Sequence, residues 1–380
     1  MDVLNPMQHA LIVVGARPQF VKGAAMHRAL ASRSGWKATW LHAGQHHDEA
    51  LSAQFFQEFG LPEPDIRLQP NQANRALRLG DMMAGIEQAV RRRRPDWVMV
   101  FGDTDSTLAG AWAANACRVP LVHVEAGLRS DDWDMPEEAN RVLTDRLSSV
   151  LVCPTNEAVL RLESEGIRDH SSAGVPPSQA TPWVLKTGDI MHDNVVHASQ
   201  AFAPGRRGTG AVLLTMHRPA NVDDVPTLLG WLEAVGSWAV QTGQRVKFPI
   251  HPRTRARLEA SFPTWEGALK EQGLEVLEPM GYSALLKAIY EAPLVVTDSG
   301  GVQKESYSLG TRCLVLRDTT EWTDQVARGQ SELVSDASLL DEAARRMQAL
   351  GPYKVDDLYG TGRAAAAILD CLEAQSELHG

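Results

Sequence analysis

The sequence predicts an α/β protein with two Rossmann-like, doubly wound domains. Short apolar runs alternate with longer amphipathic ones along the chain, and this alternation occurs twice, with a break between about 168 and 210. Strands that alternate with helices favour a parallel sheet covered by helices on both faces. The length of 380 residues is sufficient for two such domains.

In the first half, five apolar runs are too short for helices and are predicted as buried strands, at 10–14, 38–42, 97–101, 121–124 and 150–152. The segments between and after them have helical periodicity, near 18–32, 48–59, 74–92, 104–116, 137–148 and 156–165. Each strand is therefore followed by a helix, which is the order that a parallel sheet requires.

The second half repeats this order, with predicted strands at 212–216, 245–249, 275–277, 294–297 and 313–316. Helices are predicted near 225–240, 254–261, 283–290, 300–309, 322–328 and 337–350. Two loop-like stretches, 171–182 and 204–208, place the junction between the domains near Asp193. We expect an N-terminal domain over 1–190, a C-terminal domain over 191–360, and a helix within 361–380 that can cross back to the first domain. The cleft between the domains is the expected site, because ligands bind at the carboxyl ends of parallel strands.

Composition narrows the functional class. The formal net charge of −10 disfavours a general nucleic-acid binder, whose affinity depends on neutralising phosphates. The four cysteines are far apart and lack metal-ligand spacing, which favours free thiols in a reducing compartment. We expect neither a signal peptide nor a membrane span, and therefore a cytoplasmic protein.

A glycine-rich turn at 297–305 is the most informative stretch. It joins a predicted buried strand to a predicted helix, so free backbone N–H groups and the positive end of the helix dipole can hold a phosphate. Ser299 can cap the helix, and Gly300 and Gly301 allow close approach of a ligand. Glu305 can accept hydrogen bonds from sugar hydroxyls. The turn alone is equally compatible with an ordinary capped helix.

Three acids lie at or near strand ends in the first half. Asp103 and Glu125 follow two predicted strands, and Glu137 opens a helix after Pro136. Converging carboxylates suit proton abstraction and delivery, because crowding allows a base and an acid to coexist. A carboxylate metal cage stays open as an alternative, and if Glu125 is only structural its expected partner is Arg129.

Cations that could bind a diphosphate lie at the same edges. They are Arg17 and Lys22 after the first strand, and two His-Arg arrangements in the second half, His217-Arg218 and His251-Pro252-Arg253. After the second strand, the run from His46 to Asp48 favours ligand hydrogen bonding or a helix cap over a metal site, since adjacent residues point in different directions.

These segments together resemble the bacterial non-hydrolysing UDP-N-acetylglucosamine 2-epimerase family. The matching stretches occur in order over nearly the whole chain: 15–22, 102–106, 123–130, 136–141, 188–189, 217–218, 251–252, 297–305 and 317–321. The resemblance implies a glycosyltransferase-B-like fold with the active site between two Rossmann-like domains. It implies inversion at C2 of a UDP-2-acetamido sugar by anti elimination of UDP, a glucal intermediate and re-addition. It implies no cofactor and no metal, and a homodimer.

The resemblance also implies roles for individual residues. Asp103, Glu125 and Glu137 match the catalytic carboxylates and His217 the active-site histidine, without fixing which acid performs which step. The residues that match or suit UDP and substrate binding are Arg17, Lys22, Arg141, Arg218, His251, Ser299, Gly300, Gly301 and Glu305, with Glu305 on the ribose.

Several positions depart from the family pattern and bear on substrate and regulation. Gln19 stands where many family members have Glu, and a Gln at this position is also seen in UDP-2,3-diacetamido-2,3-dideoxyglucuronate 2-epimerases. The substrate of those enzymes carries a carboxylate at C6 and needs a cation nearby. Arg129, Arg141 and Arg218 are candidates for that cation. Ala220 and Asp48 replace a Glu and a Gln of the allosteric site, so we expect that site to be absent. After Glu321, the residues Trp322-Thr323-Asp324 stand where the family pattern has Arg-Pro-Glu.

UDP-N-acetylglucosamine is the default substrate, and the diacetamido-glucuronate is the alternative. A hydrolysing relative would instead release free N-acetylmannosamine. From another class, a glycosyltransferase or a non-catalytic nucleotide-sugar-binding protein shares the expected fold.

Overall fold

The computed structural model describes residues 7–45, 56, 58–262 and 264–376. The chain divides into two compact units, one formed by Met1–Asn194 together with Asp357–Gly380 and the other by Val195–Asp356. The sequence predicted division after 190 and 360. The predicted run from His46 to Asp48, and most of the predicted helix at 48–59, lie outside the described residues.

The first unit contains a seven-stranded sheet whose strand pairs are all parallel, in the order β3-β2-β1-β4-β5-β6-β7. Its strands are β1 (Gln8–Val14), β2 (Trp36–His42), β3 (Ile66–Arg67), β4 (Trp97–Phe101), β5 (Leu121–Val124), β6 (Val150–Cys153) and β7 (Trp183–Lys186). The helices are α1 (Arg17–Ala31), α2 (Arg75–Arg93), α3 (Asp105–Cys117), α4 (Pro136–Leu147) and α5 (Asn156–Ser164). Helix α6 (Ile190–Ser199) follows β7 and includes the division between the units at Asn194.

Helices cover both faces of this sheet, as the apolar strands require. Along β1, Ile12 belongs to one buried cluster, whereas Leu11 and Val13 belong to another. Successive side chains of a strand point to opposite faces, so these two clusters are the two faces of the sheet. The apolar runs of the sequence are continuous, not alternating, because both faces are buried.

The second unit contains a six-stranded sheet, also parallel throughout, in the order β10-β9-β8-β11-β12-β13. Its strands are β8 (Val212–Thr215), β9 (Val246–Pro249), β10 (Leu274–Leu277), β11 (Val295–Thr297), β12 (Cys313–Val315) and β13 (Ser331–Leu333). The helices are α7 (Pro219–Val222), α8 (Val225–Thr242), α9 (Pro252–Ser261), α10 (Trp265–Glu271), α11 (Tyr282–Glu291), α12 (Gly300–Leu309), α13 (Thr323–Ala327) and α14 (Leu340–Leu350).

A final helix, α15 (Ala364–Ser376), returns to the first unit and packs against α1. Its start is held by Asp193, whose two carboxylate oxygens accept hydrogen bonds from the N–H groups of Ala364 (2.9 Å) and Ala365 (2.8 Å). The carboxylate therefore satisfies two of the donors that a helix start leaves unpaired.

Strand order reverses at one position in each sheet, between β1 and β4 and between β8 and β11. In open parallel sheets, ligands bind beyond the carboxyl ends of the strands at such a reversal. The segments that follow these four strands carry candidate site residues. These are Arg17 after β1, Asp103 after β4, His217 after β8 and Ser299 after β11.

The doubly wound α/β fold predicted from the sequence is confirmed. The prediction missed three strands, all of the same kind. The sequence analysis assigned no strand to β3, β7 or β13. Each lies at the edge of its sheet and has two to four residues, so no long apolar run marks it. Within the described residues, every helix is too short or too polar to cross a membrane.

Candidate active site

Glu125 occupies a conformationally strained position directly after β5. Its backbone φ is +76°, a region that side chains larger than glycine rarely adopt. The turn is held because the N–H groups of Glu125 (3.0 Å) and Ala126 (2.9 Å) both donate to the carbonyl oxygen of Val152. Strain of this kind persists where the surrounding structure imposes it, and it is common at functional sites.

Lys22 of α1 forms an ion pair with the Glu125 carboxylate, and both side chains are at least nine-tenths buried. Gly102, with φ +64°, leaves the space for this pair. A Cβ at position 102 would lie 2.7 Å from Lys22 Nζ and 3.3 Å from Glu125 Oε2. The ammonium favours the ionised form of the carboxylate. Arg129, the partner expected for Glu125, instead contacts Asp145 (2.8 Å) and Glu165 (2.7 Å), so that expectation was wrong.

Asp103 follows β4 and forms an ion pair with Arg141 of α4. Arg141 also contacts Glu138 (2.9 Å), a fully buried carboxylate. Burial opposes ionisation of Glu138, but hydrogen bonds from Ser130, Arg141 and the Asp131 N–H lower its pKa below the usual value. Arg141 therefore bridges the carboxylates of Asp103, a candidate catalytic residue, and Glu138.

Glu137 is half-buried in the first turn of α4. Hydrogen bonds to Asp105 are the main cause that raises the pKa of Arg75, and the negative charge of Glu137 adds to it. Arg75 donates two hydrogen bonds to Asp105 Oδ1 (3.0 and 2.8 Å) and one to Asn140. Asn140 Nδ2 in turn donates to the backbone oxygen of Asp103 (2.9 Å). This network connects α4 to the turn after β4, which brings Asp103 and Glu137 into one region.

The first turn after β1 is organised by Gln19. Its Oε1 accepts from the N–H groups of Gly15 (2.7 Å) and Ala16 (3.1 Å), and its Nε2 donates to the Phe101 carbonyl (3.1 Å). A Glu at this position could not make the last bond, so the amide is specifically used here. Arg17 is exposed at the start of α1.

In the second unit, a buried aspartate joins the turns after β8 and β11. The Asp298 carboxylate accepts from the backbone N–H groups of His217 (3.0 Å) and Arg218 (2.8 Å), and it lies 3.1 Å from His217 Nδ1. Burial opposes its ionisation, but hydrogen bonding and charge from His217 lower the pKa of Asp298 overall. Asp298 therefore fixes the orientation of the His217 ring.

The His217 ring also contacts His251, the residue that begins the turn into α9. Their ring centroids are 5.2 Å apart, with an interplanar angle of 36°. His251 Nδ1 accepts from the N–H of Arg253 (3.1 Å) and so caps α9. His251 therefore lies beside His217.

Ser299 caps α12, as the sequence indicated, with its Oγ 3.5 Å from the Val302 nitrogen. The two glycines that follow differ. A Cβ at Gly300 would clash with Glu321 Oε1, whereas among the described residues a Cβ at Gly301 would meet only Ser299 Oγ, at 3.9 Å. A side chain at position 300 would therefore require the Glu321 carboxylate to move, while the space at Gly301 is open to a ligand. Glu305 is buried on the second turn of α12.

Arg218 and Arg317 share one acid. Arg317 contacts Glu321 at 2.9 Å, whereas Arg218 lies 4.0 Å from Glu321 and donates from Nε to the Asp298 carbonyl (2.8 Å). Burial and the charge of Arg317 lower the pKa of Arg218. Beside them is a cavity of about 500 Å³, also lined by Ala220. Two acids, Asp318 and Asp336, also line this cavity, so its lining carries charges of both signs.

The structure thus assembles two sets of predicted residues, one in each unit. The first contains Lys22, Asp103, Glu125, Glu137 and Arg141; the second contains His217, Arg218, His251, Ser299, Gly300, Gly301 and Glu305. The sequence analysis gave no role to Asp298, Glu138, Asn140 or Arg75. An ionisable residue directly after an apolar strand was the available signal for Asp298, as it had been for Glu125.

No group of three or more His, Cys, Asp or Glu side chains in the described residues is arranged to hold a metal ion. The four cysteines are free. Cys153 and Cys313 are buried, and burial raises the pKa of the Cys313 thiol to about 12, so this thiol is poorly suited to nucleophilic chemistry.

Comparisons with known proteins point to one family. The family model for UDP-N-acetylglucosamine 2-epimerase matches residues 28–373. The UDP-2,3-diacetamido-2,3-dideoxy-D-glucuronate 2-epimerase of Pseudomonas aeruginosa is 37% identical over 95% of this chain and 98% of its own length. The UDP-N-acetylglucosamine 2-epimerase of Methanocaldococcus jannaschii is 36% identical over 86% of this chain and 88% of its own.

A crystal structure of the Methanocaldococcus jannaschii enzyme, in complex with UDP-GlcNAc and UDP, superposes with a TM-score of 0.80 at 31% identity. The alignment covers 97% of this chain and 100% of that one.

Proposed function

Because the chain belongs to the UDP-N-acetylglucosamine 2-epimerase family, we propose that it inverts C2 of a UDP-2-acetamido sugar. The default reaction converts UDP-N-acetylglucosamine to UDP-N-acetylmannosamine. The observation that carries the proposal is the pair of carboxylates at neighbouring strand ends, Asp103 and Glu125, each held in an ion pair. Carboxylates held in ion pairs beside a strand-order reversal suit removal of a proton from a bound sugar.

The chemistry divides into elimination and return. A carboxylate takes the proton from C2, the C2–H electron pair forms the C1–C2 double bond, and the C1–O bond breaks to release UDP. The UDP oxygen then attacks C1 again, and a proton is delivered to C2 on the opposite face. Two faces require two proton-transfer groups, and the acids of the first unit, Asp103, Glu125 and Glu137, are the residues proposed for them.

The leaving diphosphate requires stabilisation of developing negative charge. Backbone N–H groups at the start of α12, around Ser299 and Gly301, are suited to this because they are fixed before the reaction. His217, oriented by Asp298, can donate a hydrogen bond to a phosphate oxygen. We propose that both sets of residues act on one UDP-sugar, so that released UDP stays beside the glucal and its return is effectively unimolecular.

A uronate substrate is the second candidate, because one arginine is less committed than the others. Arg129 and Arg141 each contact two carboxylates, whereas Arg218 contacts a backbone carbonyl and shares Glu321 with Arg317. A C6 carboxylate would find a cation in Arg218. The 37% identity to the Pseudomonas aeruginosa diacetamido-glucuronate epimerase supports the same candidate.

The test is an NMR assay in deuterated water with each UDP-sugar separately. The proposal predicts deuterium at C2 and a mixture of two UDP-sugars, without any acceptor. Release of free amino sugar would identify a hydrolysing enzyme instead. Absence of C2 exchange with both sugars, in protein that binds UDP, would contradict the proposal and favour a glycosyltransferase or a binding protein.

The matched variants are Glu125→Gln and Glu165→Gln. Glu125→Gln is expected to lower C2 exchange by about 10²–10⁴-fold, the usual contribution of a positioned acid or base. UDP binding should persist, because Glu125 is not proposed to contact the diphosphate. Glu165, which contacts Arg129, supplies the same substitution outside the proposed machinery and should exchange at nearly the wild-type rate.

We further propose that the protein acts as a homodimer in the cytoplasm, in polysaccharide biosynthesis. The four free cysteines are compatible with a reducing compartment. Sedimentation at several concentrations tests the dimer, and fractionation of the source cells tests the location. Loss of a surface polysaccharide when the gene is deleted would support the pathway.

A further inference from the structure

The replacement of Arg-Pro-Glu by Trp322-Thr323-Asp324 has a structural counterpart at the glycine-rich turn. Trp322 is 9% exposed, and its indole Nε1 donates a hydrogen bond to the carbonyl oxygen of Gly300 (3.1 Å). That carbonyl belongs to the peptide unit that joins Gly300 to Gly301. In a trans peptide the carbonyl and the N–H point in opposite directions, so fixing the Gly300 oxygen also fixes the Gly301 N–H.

The indole ring is itself held by a cation. Lys304 of α12 is 3% exposed, and its Nζ lies 4.4 Å from the centroid of the Trp322 ring. A desolvated ammonium over an indole is a favourable cation–π contact. Trp322 is therefore fixed on one side by its hydrogen bond to the turn and on its face by a residue of the helix that the turn begins.

The segment 317–322, which we call the strap, makes further contacts with the start of α12. Thr320 Oγ1 donates to Gln303 Oε1 (2.7 Å) and accepts from the Trp322 N–H (3.2 Å). Glu321, paired with Arg317, occupies the space beside Gly300 that a Cβ would need. The strap thus contacts both the side and the carbonyl of a residue that has no side chain of its own.

We propose that Trp322 is a positioning residue for diphosphate binding: it holds the peptide unit between Gly300 and Gly301 so that the Gly301 N–H faces the phosphate. Both glycines lie in the first turn of α12, and glycine weakens a helix more than most residues do, so the Trp322 hydrogen bond adds to the hold of the helix on this peptide unit. The inference rests on the proposed function, because it assigns the diphosphate of a UDP-sugar to this turn. It also explains why an aromatic residue with an N–H donor follows Glu321.

Trp322→Phe tests the inference, because it keeps an aromatic face over Lys304 and removes the N–H donor. Calorimetric titration with UDP should show a dissociation constant raised about threefold to tenfold, the usual worth of one neutral hydrogen bond. The dissociation constant for uridine, which has no phosphate, should stay unchanged. This difference separates directed phosphate binding from general loosening of the fold, which would weaken both ligands.

Trp265→Phe is the matched control. Trp265 is also buried in the second unit, with Arg255 5.8 Å from its ring, but it lies on α10. Its variant should lower the melting temperature and leave UDP affinity unchanged. Equal weakening of UDP binding in both variants would contradict a positioning role for Trp322.

Lys304→Met is the second variant, since it keeps the packing volume and removes the cation over the ring. It should weaken UDP binding by a smaller factor than Trp322→Phe and leave uridine binding unchanged. Wild-type UDP affinity in both variants would overturn the inference. A wild-type protein that fails to bind UDP would contradict the proposed function itself, and this inference with it.

Discussion

The two units present different chemistry at the corresponding position of the same fold. At the carboxyl edge of the first sheet, charged side chains face one another, with Lys22 against Glu125 and Arg141 against Asp103. At the carboxyl edge of the second sheet, a buried acid, Asp298, organises backbone N–H groups and an imidazole. The first arrangement suits proton transfer, and the second suits binding of an anion. A shared topology therefore fixes where a site lies, and the residues of the turns decide what it does.

The largest effect in this comparison is expected from Lys22→Met, because it tests whether Lys22 acts in proton transfer or in phosphate binding. If the role of Lys22 is to hold the Glu125 carboxylate in an ion pair, the rate of C2 exchange should fall about 10²-fold or more, comparable with loss of a positioned acid or base. Its pH optimum should also rise, because a buried carboxylate without its cation ionises at higher pH. UDP affinity should stay near the wild-type value in calorimetric titration.

The opposite result, weaker UDP binding with an unchanged pH profile of exchange, would assign Lys22 to the phosphates, as its sequence position predicted. Lys247→Met, on β9 of the second unit, is the matched control and should change neither quantity.

Asp298→Asn should lower both the stability of the second unit and its affinity for UDP. The amide places donor hydrogens where the N–H groups of His217 and Arg218 need an acceptor, so the free energy of unfolding should fall by about 1–3 kcal/mol. UDP affinity should fall with it. The pKa of Asp298 is lowered in the folded protein, so its contribution to stability is present above the unfolded value and is lost as pH falls.

Denaturant unfolding at pH 7 and at pH 3, which is below the unfolded value of 3.8, measures this, and the difference between wild type and variant should be smaller at pH 3. Asp223→Asn, an exposed partner of Arg253, is the control and should change stability little. A control as destabilised as Asp298→Asn would show that burial is not the cause.

Gly301→Ala should affect binding without affecting the fold. The described residues leave open space at this Cβ, and Gly301 lies at the start of a helix, where alanine is tolerated. A methyl group on the ligand side should raise the UDP dissociation constant by about tenfold, equivalent to about 1.4 kcal/mol. Gly80→Ala, in open space on α2, should leave UDP binding unchanged. Unchanged affinity in Gly301→Ala would remove Gly301 from the proposed site.

The smallest effect on the reaction is expected at Asp193, one of the buried aspartates of the first unit. Burial raises its pKa to about 6, even though the N–H groups of Ala364 and Ala365 donate to it. A carboxyl whose pKa rises on folding stabilises the protein fully below the unfolded value of about 4, and that contribution is lost as pH rises to about 6.

Wild-type stability relative to Asp193→Asn should therefore decline across pH 4–6, by on the order of 1 kcal/mol. Chemical denaturation at intervals of pH measures the decline, and C2 exchange should change less than about twofold. A constant difference across this range would contradict the raised pKa of Asp193.

How far the sequence predicted the structure depended on the distance between the residues concerned. The strands around Ile12 and Val122 and the cap at Ser299 were predicted correctly, because apolar runs and capping residues act over a few neighbouring positions. The edge strand at Trp183 was missed because four residues beside a Ser- and Pro-rich stretch carry little pattern. Partners of charged side chains were the weakest prediction, as Arg129 shows, since several acids compete for one cation.

By itself the sequence determined the fold class, the order of the elements and the family, and it named candidate reactive side chains, because periodicity and short motifs are local properties. The tertiary structure decided which charges meet. Lys22 and Glu125 are 103 positions apart in the chain, and they pair because the strand order brings the turns after β1, β4 and β5 together. It also decided that Trp322 lies against Gly300. Such contacts depend on chain closure over long separations, which no local pattern records.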